Sequence, residues 1–140
     1  MSHEPTWSLH PQLAQDTIEV GDLLLARVLL MNDANYPWLL LVPRRPNVSE
    51  VFDLGEIEQG QLVSEITLLA RVLKDVTACD KLNIATLGNV VPQLHVHIVA
   101  RRRDDAAWPR PIWGTVPARP YEAPERDRLI AAIQQEVAFG

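Results

Sequence analysis

Two histidines and a glutamine alternate with apolar residues in one short stretch of the sequence, residues 93–98. The alternation predicts a β-strand over about residues 90–100, with Gln93, His95 and His97 on one face and the intervening residues against a core. Side chains two residues apart on a strand lie roughly 6 to 7 Å from each other. Two imidazoles held side by side next to an amide can bind a phosphate or a metal ion, or can attack an electrophile. This stretch is therefore the candidate functional site.

Three interpretations of the histidine stretch compete. In the first, polar side chains alternate on a half-solvated strand face and carry out no chemistry. In the second, His95 and His97 bind zinc, but a catalytic zinc needs a third protein ligand, and no Cys-x-x-Cys or His-Glu-x-x-His motif supplies one. In the third, one imidazole attacks phosphorus while the other binds the charged oxygens. Gly88 and Asn89 favour the third, because amides in a glycine turn can cradle an anion; an ordinary hairpin turn is the alternative.

The composition fits one globular domain. The chain has 140 residues, of which 47% are hydrophobic and 22% are charged. A net charge of −5 makes long nucleic acid a poor partner, so an anionic ligand would need a local site. No apolar run approaches the roughly 18 residues of a membrane span, and residues 1–5 lack a signal-peptide pattern, so a cytoplasmic location with no membrane partner is expected. The single cysteine, Cys79, is expected to be a small buried hydrophobe.

Hydrophobic periodicity predicts the elements that must position the histidines. Apolar residues recur every three or four positions over residues 57–78 and 123–138, which indicates two amphipathic helices. A short helix is predicted over residues 8–16, and Gly55 is expected to end a helical turn over residues 47–54. A turn at Gly21-Asp22 separates the first two of four further predicted strands, at residues 17–20, 23–31, 38–43 and 81–87.

The segment 108–114 is rich in tryptophan and proline and is too irregular for a helix or a sheet interior. We expect it to lie over the surface. Trp108, Ile112 and Trp113 are expected to be exposed and available to cover the site of a partner subunit.

Residues 88–99 resemble the signature of the histidine triad superfamily, in which three histidines alternate with apolar residues after a glycine-containing turn. Residues 40–45 are similar to that family's apolar strand ending in proline and two basic residues, and Trp108-Pro109 looks like a segment that follows the signature in one branch. The resemblance implies an α+β fold, with an antiparallel sheet of about five strands, one long helix between strands and a C-terminal helix. It also implies a homodimer and a single domain over residues 1–140, with 115–140 as a C-terminal helical extension.

The resemblance further implies a chemistry. Members of the family bind nucleotides and cleave them at the α-phosphorus, which implies a hydrolase of a nucleoside phosphoramidate, an adenylylated compound or a dinucleoside polyphosphate. The middle histidine, here His95, is the nucleophile and forms a nucleotidyl-histidine intermediate, and His97 hydrogen-bonds the phosphate oxygens as charge builds. No cofactor is required, although the substrate can be bound as a magnesium complex. Other positions implied to contact the substrate are Asn83, Gly88 and Asn89 for the phosphate, and Asn32 or Asp33 for the nucleoside.

Three positions depart from the pattern of that family. Gln93 stands at the first histidine of the signature, and Trp38 and Pro46 stand where members often carry two further histidines. We assign Gln93 to the catalytic group with His95 and His97, because glutamine can orient a phosphate or a leaving group, but it cannot carry a proton near pH 7. The alternative function is therefore a nucleotide-binding or partner-binding module with weak or absent catalysis.

Overall fold

The computed structural model describes residues 6–140, and residues 1–5, on which the signal-peptide prediction rests, lie outside them. In chain order, the elements are α1 (Pro11–Asp16), β1 (Thr17–Asp22), β2 (Ala26–Met31), β3 (Trp38–Pro43), a 3₁₀ turn (Val51–Asp53), α2 (Glu56–Thr77), β4 (Lys81–Ala85), β5 (Val96–Arg101) and α3 (Ala123–Glu136). The strands form one antiparallel sheet in the order β1-β2-β3-β5-β4. The predicted α+β class, with five antiparallel strands, a long helix between strands and a C-terminal helix, is confirmed. Over residues 6–140, no helix has both the length and the hydropathy needed to cross a bilayer.

The sheet is covered on both faces. On one face, α2 and α3 pack over fully buried strand residues such as Leu39, Leu41 and Ile98. Successive side chains of a strand point to opposite faces, so Leu40 and His97, which are paired across β3 and β5, lie on the other face. That second face is covered by α1 and by the segment that follows β5. The candidate site therefore lies on the face away from α2.

The long helix follows its predicted apolar stripe. Most of the apolar residues that recur every three or four positions in this helix are buried, namely Leu62, Leu69, Val72 and Leu73. Gly55 has extended backbone angles (φ −65°, ψ 161°), and its carbonyl accepts the Gln59 N–H, so this glycine is the N-cap of α2. The prediction that Gly55 ends the preceding turn is therefore wrong.

The turn between the first two strands lies later than predicted. β1 continues through Gly21 and Asp22, and the chain reverses at residues 23–25. Asp22 is paired with Arg27 across the hairpin, and its carboxylate contacts the guanidinium at 2.8 Å. Gly21 provides space, because a Cβ there would lie 2.5 Å from the ring of Phe139. The glycine that suggested a turn is thus needed for packing within a strand.

The histidine strand is shorter than predicted. β5 begins at Val96, and residues 88–95 are irregular. Pro92 has no N–H for a strand ladder, and the Leu94 N–H donates to the Val48 carbonyl at 2.9 Å. Leu94 nevertheless joins the same core as the strand residues that follow it. The predicted inward-facing positions are therefore confirmed, although half of the predicted strand is not.

The segment after β5 is buried against its own chain. Ile112 is only 4% exposed, and Trp108 and Trp113 are half-buried, so the expectation that these side chains are exposed is wrong. Ile112 packs with Tyr36 and Val99 in a small core on the face away from α2. The cause is the sheet itself, because its central strands need apolar cover on this face as well.

Candidate active site

His95 and His97 lie side by side on the face of the sheet away from α2. Their ring centroids are 4.9 Å apart, and the ring planes make an angle of 66°. His97 belongs to β5, whereas His95 comes directly before it. Only 7% of His95 and 4% of His97 is exposed. The structure therefore brings the two predicted imidazoles together, with most of each ring buried.

The backbone of the preceding turn orients the ring of His95. Its Nδ1 lies 2.7 Å from the carbonyl oxygen of Gln93. A carbonyl oxygen only accepts hydrogen bonds, so Nδ1 carries a proton and donates it. Neutral His95 therefore has its lone pair on Nε2, the atom available for nucleophilic attack.

The ring of His97 has the opposite tautomer. The indole Nε1–H of Trp38 donates a hydrogen bond of 3.0 Å to its Nδ1. Because an indole N–H can only donate, this Nδ1 is unprotonated, and Nε2 carries the proton of the neutral ring. Nε2 is buried and has no hydrogen-bond partner among the described residues. His97 therefore keeps an unused donor next to the ring of His95.

His97 is held in its neutral form. Burial, and secondarily repulsion by His95, lowers the pKa of His97 to about 4. Across the range from about pH 5 to 8, this residue consequently acts as an N–H donor and not as a cation.

A cleft of about 440 Å³ opens at the two histidines. Its walls are formed by α1, by residues 87–91 and by Trp113. A second cleft of about 430 Å³ adjoins it and shares the lining residues Asp16, Met31, Trp38 and Trp113. Each volume falls within the roughly 300–1,000 Å³ that is usual for small-molecule sites. The two clefts therefore share the tryptophans, and the first of them also contains the two histidines.

The turn at Gly88 and Asn89 lies beside the two histidines, as binding of a phosphate by its amides would require. Gly88 has a φ of +75°, a left-handed conformation that residues with a side chain rarely adopt. Gly88 and Asn89 line the same cleft as His95 and His97. Within residues 6–140, no three His, Cys, Asp or Glu side chains are grouped to hold a metal ion.

A comparison with family models decides the family. The model described as "HIT domain" matches residues 12–104, well over half of the chain. The chain belongs to the HIT domain family. Members of this histidine triad family are generally nucleotide-binding hydrolases or transferases.

Solved structures of histidine triad proteins resemble the chain over nearly its whole length. The protein from Bradyrhizobium japonicum is 57% identical with a TM-score of 0.95, and the match covers 96% of this chain and 100% of that chain. The protein from Sinorhizobium meliloti is 43% identical with a TM-score of 0.92, covering 94% and 98%. The protein from Marinobacter aquaeolei is 39% identical with a TM-score of 0.92, covering 94% and 96%. No curated protein has a matching sequence.

Gln93, which comes two residues before His95, binds the N-terminal segment. Its Oε1 accepts from the His10 N–H at 2.8 Å, and its Nε2 donates to the Ser8 carbonyl at 2.9 Å. These two bonds tie the start of α1, which lines the histidine cleft, to the turn that carries His95. The structure thus gives Gln93 a positioning contact, while its contact with substrate stays a prediction.

Replacing Gln93 by leucine is expected to loosen the wall formed by α1. The backbone carbonyl that orients His95 remains, but two hydrogen bonds of about 1 kcal/mol each are lost. Steady-state kinetics with a nucleotide substrate should show KM raised about 3- to 10-fold and a smaller change in kcat. Gln134→Leu is the control, because it removes an amide bond to the Val20 carbonyl on the opposite face of the sheet. A large fall in kcat at constant KM would instead place the Gln93 amide at the reacting atoms.

Asn83, the asparagine implied to contact phosphate, is bound within the protein. Its Oδ1 accepts from Arg101 Nη1 at 2.8 Å, and the residue lines neither cleft. It lies on β4 next to Val99, two residues along β5 from His97. The structure therefore does not bring Asn83 to His95, and its role in phosphate binding stays a prediction.

Asn32 and Asp33, implied to bind the nucleoside, line the second cleft. Both also make local bonds to the backbone. Asn32 Oδ1 accepts from the Tyr121 N–H at 3.0 Å, and the nearly buried Asp33 accepts from the N–H groups of Asn35 (2.9 Å) and Arg119 (3.2 Å). These bonds fasten the segment before α3 to the loop after β2.

Arg101 is a residue that the sequence analysis misses. It opens a run of three arginines, which normally indicates a solvated face, yet it is only 1% exposed. Its guanidinium makes a two-point contact with Asp105, at 2.8 and 3.1 Å, and packs near the rings of Tyr36 and Trp108. We call this contact the Arg101–Asp105 latch. The period of two that runs through His97 and Val99 to Arg101 was the signal that could have revealed it.

The latch fixes the segment that forms the aromatic wall of the site. Asp105 also accepts from the N–H groups of Ala107 and Trp108, at the start of this segment. Further along, Trp113 packs edge-on against His97, with ring centroids 5.2 Å apart, and against Trp38 at 6.2 Å. The position of the wall over His97 thus depends on a buried ion pair.

Proposed function

We propose that this histidine triad protein is a hydrolase that cleaves a nucleotide at the α-phosphorus through a nucleotidyl intermediate on His95. The observation that carries the proposal is the pair of opposite tautomers in one cleft. His95 offers an Nε2 lone pair, and His97 offers an Nε2–H donor with no partner. A nucleophile and a donor for the charge on the phosphate oxygens are the groups that covalent catalysis at phosphorus needs.

The reaction proceeds in two displacements at phosphorus. The Nε2 lone pair of His95 attacks, a P–N bond forms, and the bond to the leaving group breaks with its electron pair on the leaving group, which takes a proton from water. The Gln93 carbonyl stabilises the positive charge that develops on the ring, and the Nε2–H of His97 binds a phosphate oxygen. Water then attacks phosphorus, the P–N bond returns its electron pair to Nε2, and a proton passes to solvent. The products are a nucleoside monophosphate and the free leaving group.

The charges around the clefts narrow the substrate class. The charged residues that line the two clefts are Asp16 and Asp33, and Glu50 lines a small recess on another side of His95. No Lys or Arg among residues 6–140 lines these three cavities. A dinucleoside polyphosphate would bring several negative charges close to these carboxylates, whereas a phosphoramidate brings one. We therefore favour as substrate a nucleoside phosphoramidate, or an adenylylated compound with an uncharged or cationic leaving group.

The nucleoside is proposed to occupy the second cleft. Trp38 and Trp113 give this cleft two aromatic surfaces, and stacking on such surfaces tolerates different bases. Asn32 and Asp33, at the same cleft, are the proposed contacts of the sugar.

Assembly as a homodimer and a cytoplasmic location stay predictions.

The test compares adenosine 5′-phosphoramidate with diadenosine tetraphosphate, each with and without magnesium. We expect AMP to be released from both, with kcat/KM at least about 10-fold higher for the phosphoramidate. An equal or reversed preference would contradict the inference that the carboxylates of the clefts disfavour a polyphosphate.

Calorimetry with AMP runs in parallel. Binding of AMP without turnover of either compound would favour the alternative, a binding module that has lost catalysis with the histidines replaced by Gln93, Trp38 and Pro46.

A further inference from the structure

Trp38 is the side chain that contacts the unprotonated nitrogen of His97. It opens β3 and pairs with Val99 on β5, so its indole lies next to the ring of His97, with ring centroids 5.7 Å apart. The bond from Nε1–H to Nδ1 measures 3.0 Å and joins positions 59 residues apart. This is the one hydrogen bond that the described residues make to the ring of His97. The other ring nitrogen, Nε2, has no partner among them.

We propose that Trp38 is a positioning residue that holds His97 in its Nε2–H tautomer, so that the donor at the cleft is in place before a substrate binds. The use of this donor on a phosphate oxygen rests on the proposed function. The tautomer itself does not, and it can be measured without any substrate.

The indole nitrogen of Trp38 can donate a hydrogen bond but cannot accept one. Trp38 offers a proton and accepts none, so a proton on Nδ1 of His97 would face another N–H at 3.0 Å in a buried site. This disfavours both the Nδ1–H tautomer and the imidazolium, which carries protons on both nitrogens. The titratable groups near His97 are His95 in the adjacent ring and Asp16 on α1, which lines the same cleft. A histidine at position 38 could either donate or accept, and would leave the tautomer of His97 open.

The test uses the full chain labelled with ¹⁵N in its histidines. Long-range proton–nitrogen NMR spectra distinguish a protonated ring nitrogen from an unprotonated one. Between about pH 5 and 8, we expect the wild type to show His97 as one neutral form, with Nδ1 unprotonated. In Trp38→Phe, which keeps an aromatic ring and removes the N–H, we expect a mixture of tautomers and protonation of His97 at a higher pH.

Trp113→Phe is the matched control. Trp113 also packs against His97, at 5.2 Å between centroids, but its buried Nε1 has no hydrogen-bond partner among the described residues. The His97 spectrum of this variant should match that of the wild type. A wild-type spectrum with the proton on Nδ1 would overturn the proposal without any variant. So would a Trp38→Phe protein with an unchanged His97 spectrum, or an equal change in Trp113→Phe.

Kinetics then tests the use of the donor. Trp38→Phe should lower kcat about 10- to 100-fold, with a smaller effect on KM. In a protein that already carries His97→Ala, the same substitution should change kcat less than about 2-fold, because its target is gone. A changed His97 spectrum with wild-type kcat would overturn the catalytic part of the proposal. Failure of the wild type to turn over any substrate would instead remove the proposed function and leave the tautomer assignment intact.

Discussion

Replacing His95 by alanine is expected to lower kcat by at least about 1,000-fold while the fold remains. In the proposed mechanism the ring supplies the lone pair for attack, and the only other imidazole in the cleft among the described residues, His97, has its lone pair occupied by Trp38. The substitution widens an existing cleft and creates no closed cavity, so the loss of stability should be small. Steady-state kinetics with adenosine 5′-phosphoramidate and thermal unfolding measure the two effects.

His97→Ala is the comparison for that variant. It keeps the nucleophile and removes a donor, which is expected to cost about 100- to 1,000-fold in kcat. We therefore expect a graded result, with the greater loss of kcat in His95→Ala. Free imidazole should also restore part of the activity of His95→Ala, because it can occupy the space of the missing ring. Wild-type turnover in His95→Ala would contradict the mechanism.

Replacing Asp105 by alanine is expected to lower the free energy of unfolding by about 3–5 kcal/mol, because it leaves the guanidinium of Arg101 buried without its counterion. The two side chains are 2% and 6% exposed, and they meet at 2.8 Å. The variant should also raise KM for the nucleotide, since the latch fixes the segment that carries Trp113. Chemical denaturation and steady-state kinetics measure these effects.

A second ion pair provides the control for the latch. Arg45 and Glu58 meet at 2.5 Å, but their side chains are 43% and 32% exposed, so Glu58→Ala should cost less than about 1 kcal/mol. Burial alone would raise the pKa of Asp105, but Arg101 and neighbouring backbone N–H groups hold that pKa below its usual 3.8. The stabilisation by the latch is therefore full above pH 3.8 and is lost as the pH falls through the lower value of the folded state. Equal losses of stability in the two variants would contradict a special role of the latch.

The parts of the fold that rest on local pattern could be predicted from the sequence. The apolar stripe of α2 and the apolar run of β3 each indicate one element, because burial of one face leaves a periodic pattern and burial of both faces leaves a continuous apolar run. The shared location of His95 and His97 followed from the same rule, even though only His97 lies in a strand. The error at Gly21 has the opposite cause, because a glycine required by the distant Phe139 looks locally like a turn.

The contacts that prepare the site could not be predicted in this way. Trp38 on β3 donates to His97 on the adjacent strand β5, which is 59 positions away in the sequence, and Gln93 bonds to Ser8 and His10 more than eighty positions away. Side-chain hydrogen bonds of this kind leave no periodic signal, since each partner alone is compatible with many environments. The burial of Arg101 was hidden for another reason, because its two arginine neighbours suggest a solvated face although the strand period of two places it with His97.

The decisive measurement is the detection of a covalent adenylyl intermediate on His95. The protein is mixed with excess adenosine 5′-phosphoramidate, stopped in alkali, in which a P–N bond to histidine survives better than in acid, and analysed by intact and peptide mass spectrometry. We expect one adenylyl group per chain, attached to His95 and absent from His95→Ala. Hydrolysis at the normal rate with the adenylyl group on another residue, or with no adduct at any time before steady state, would contradict the mechanism.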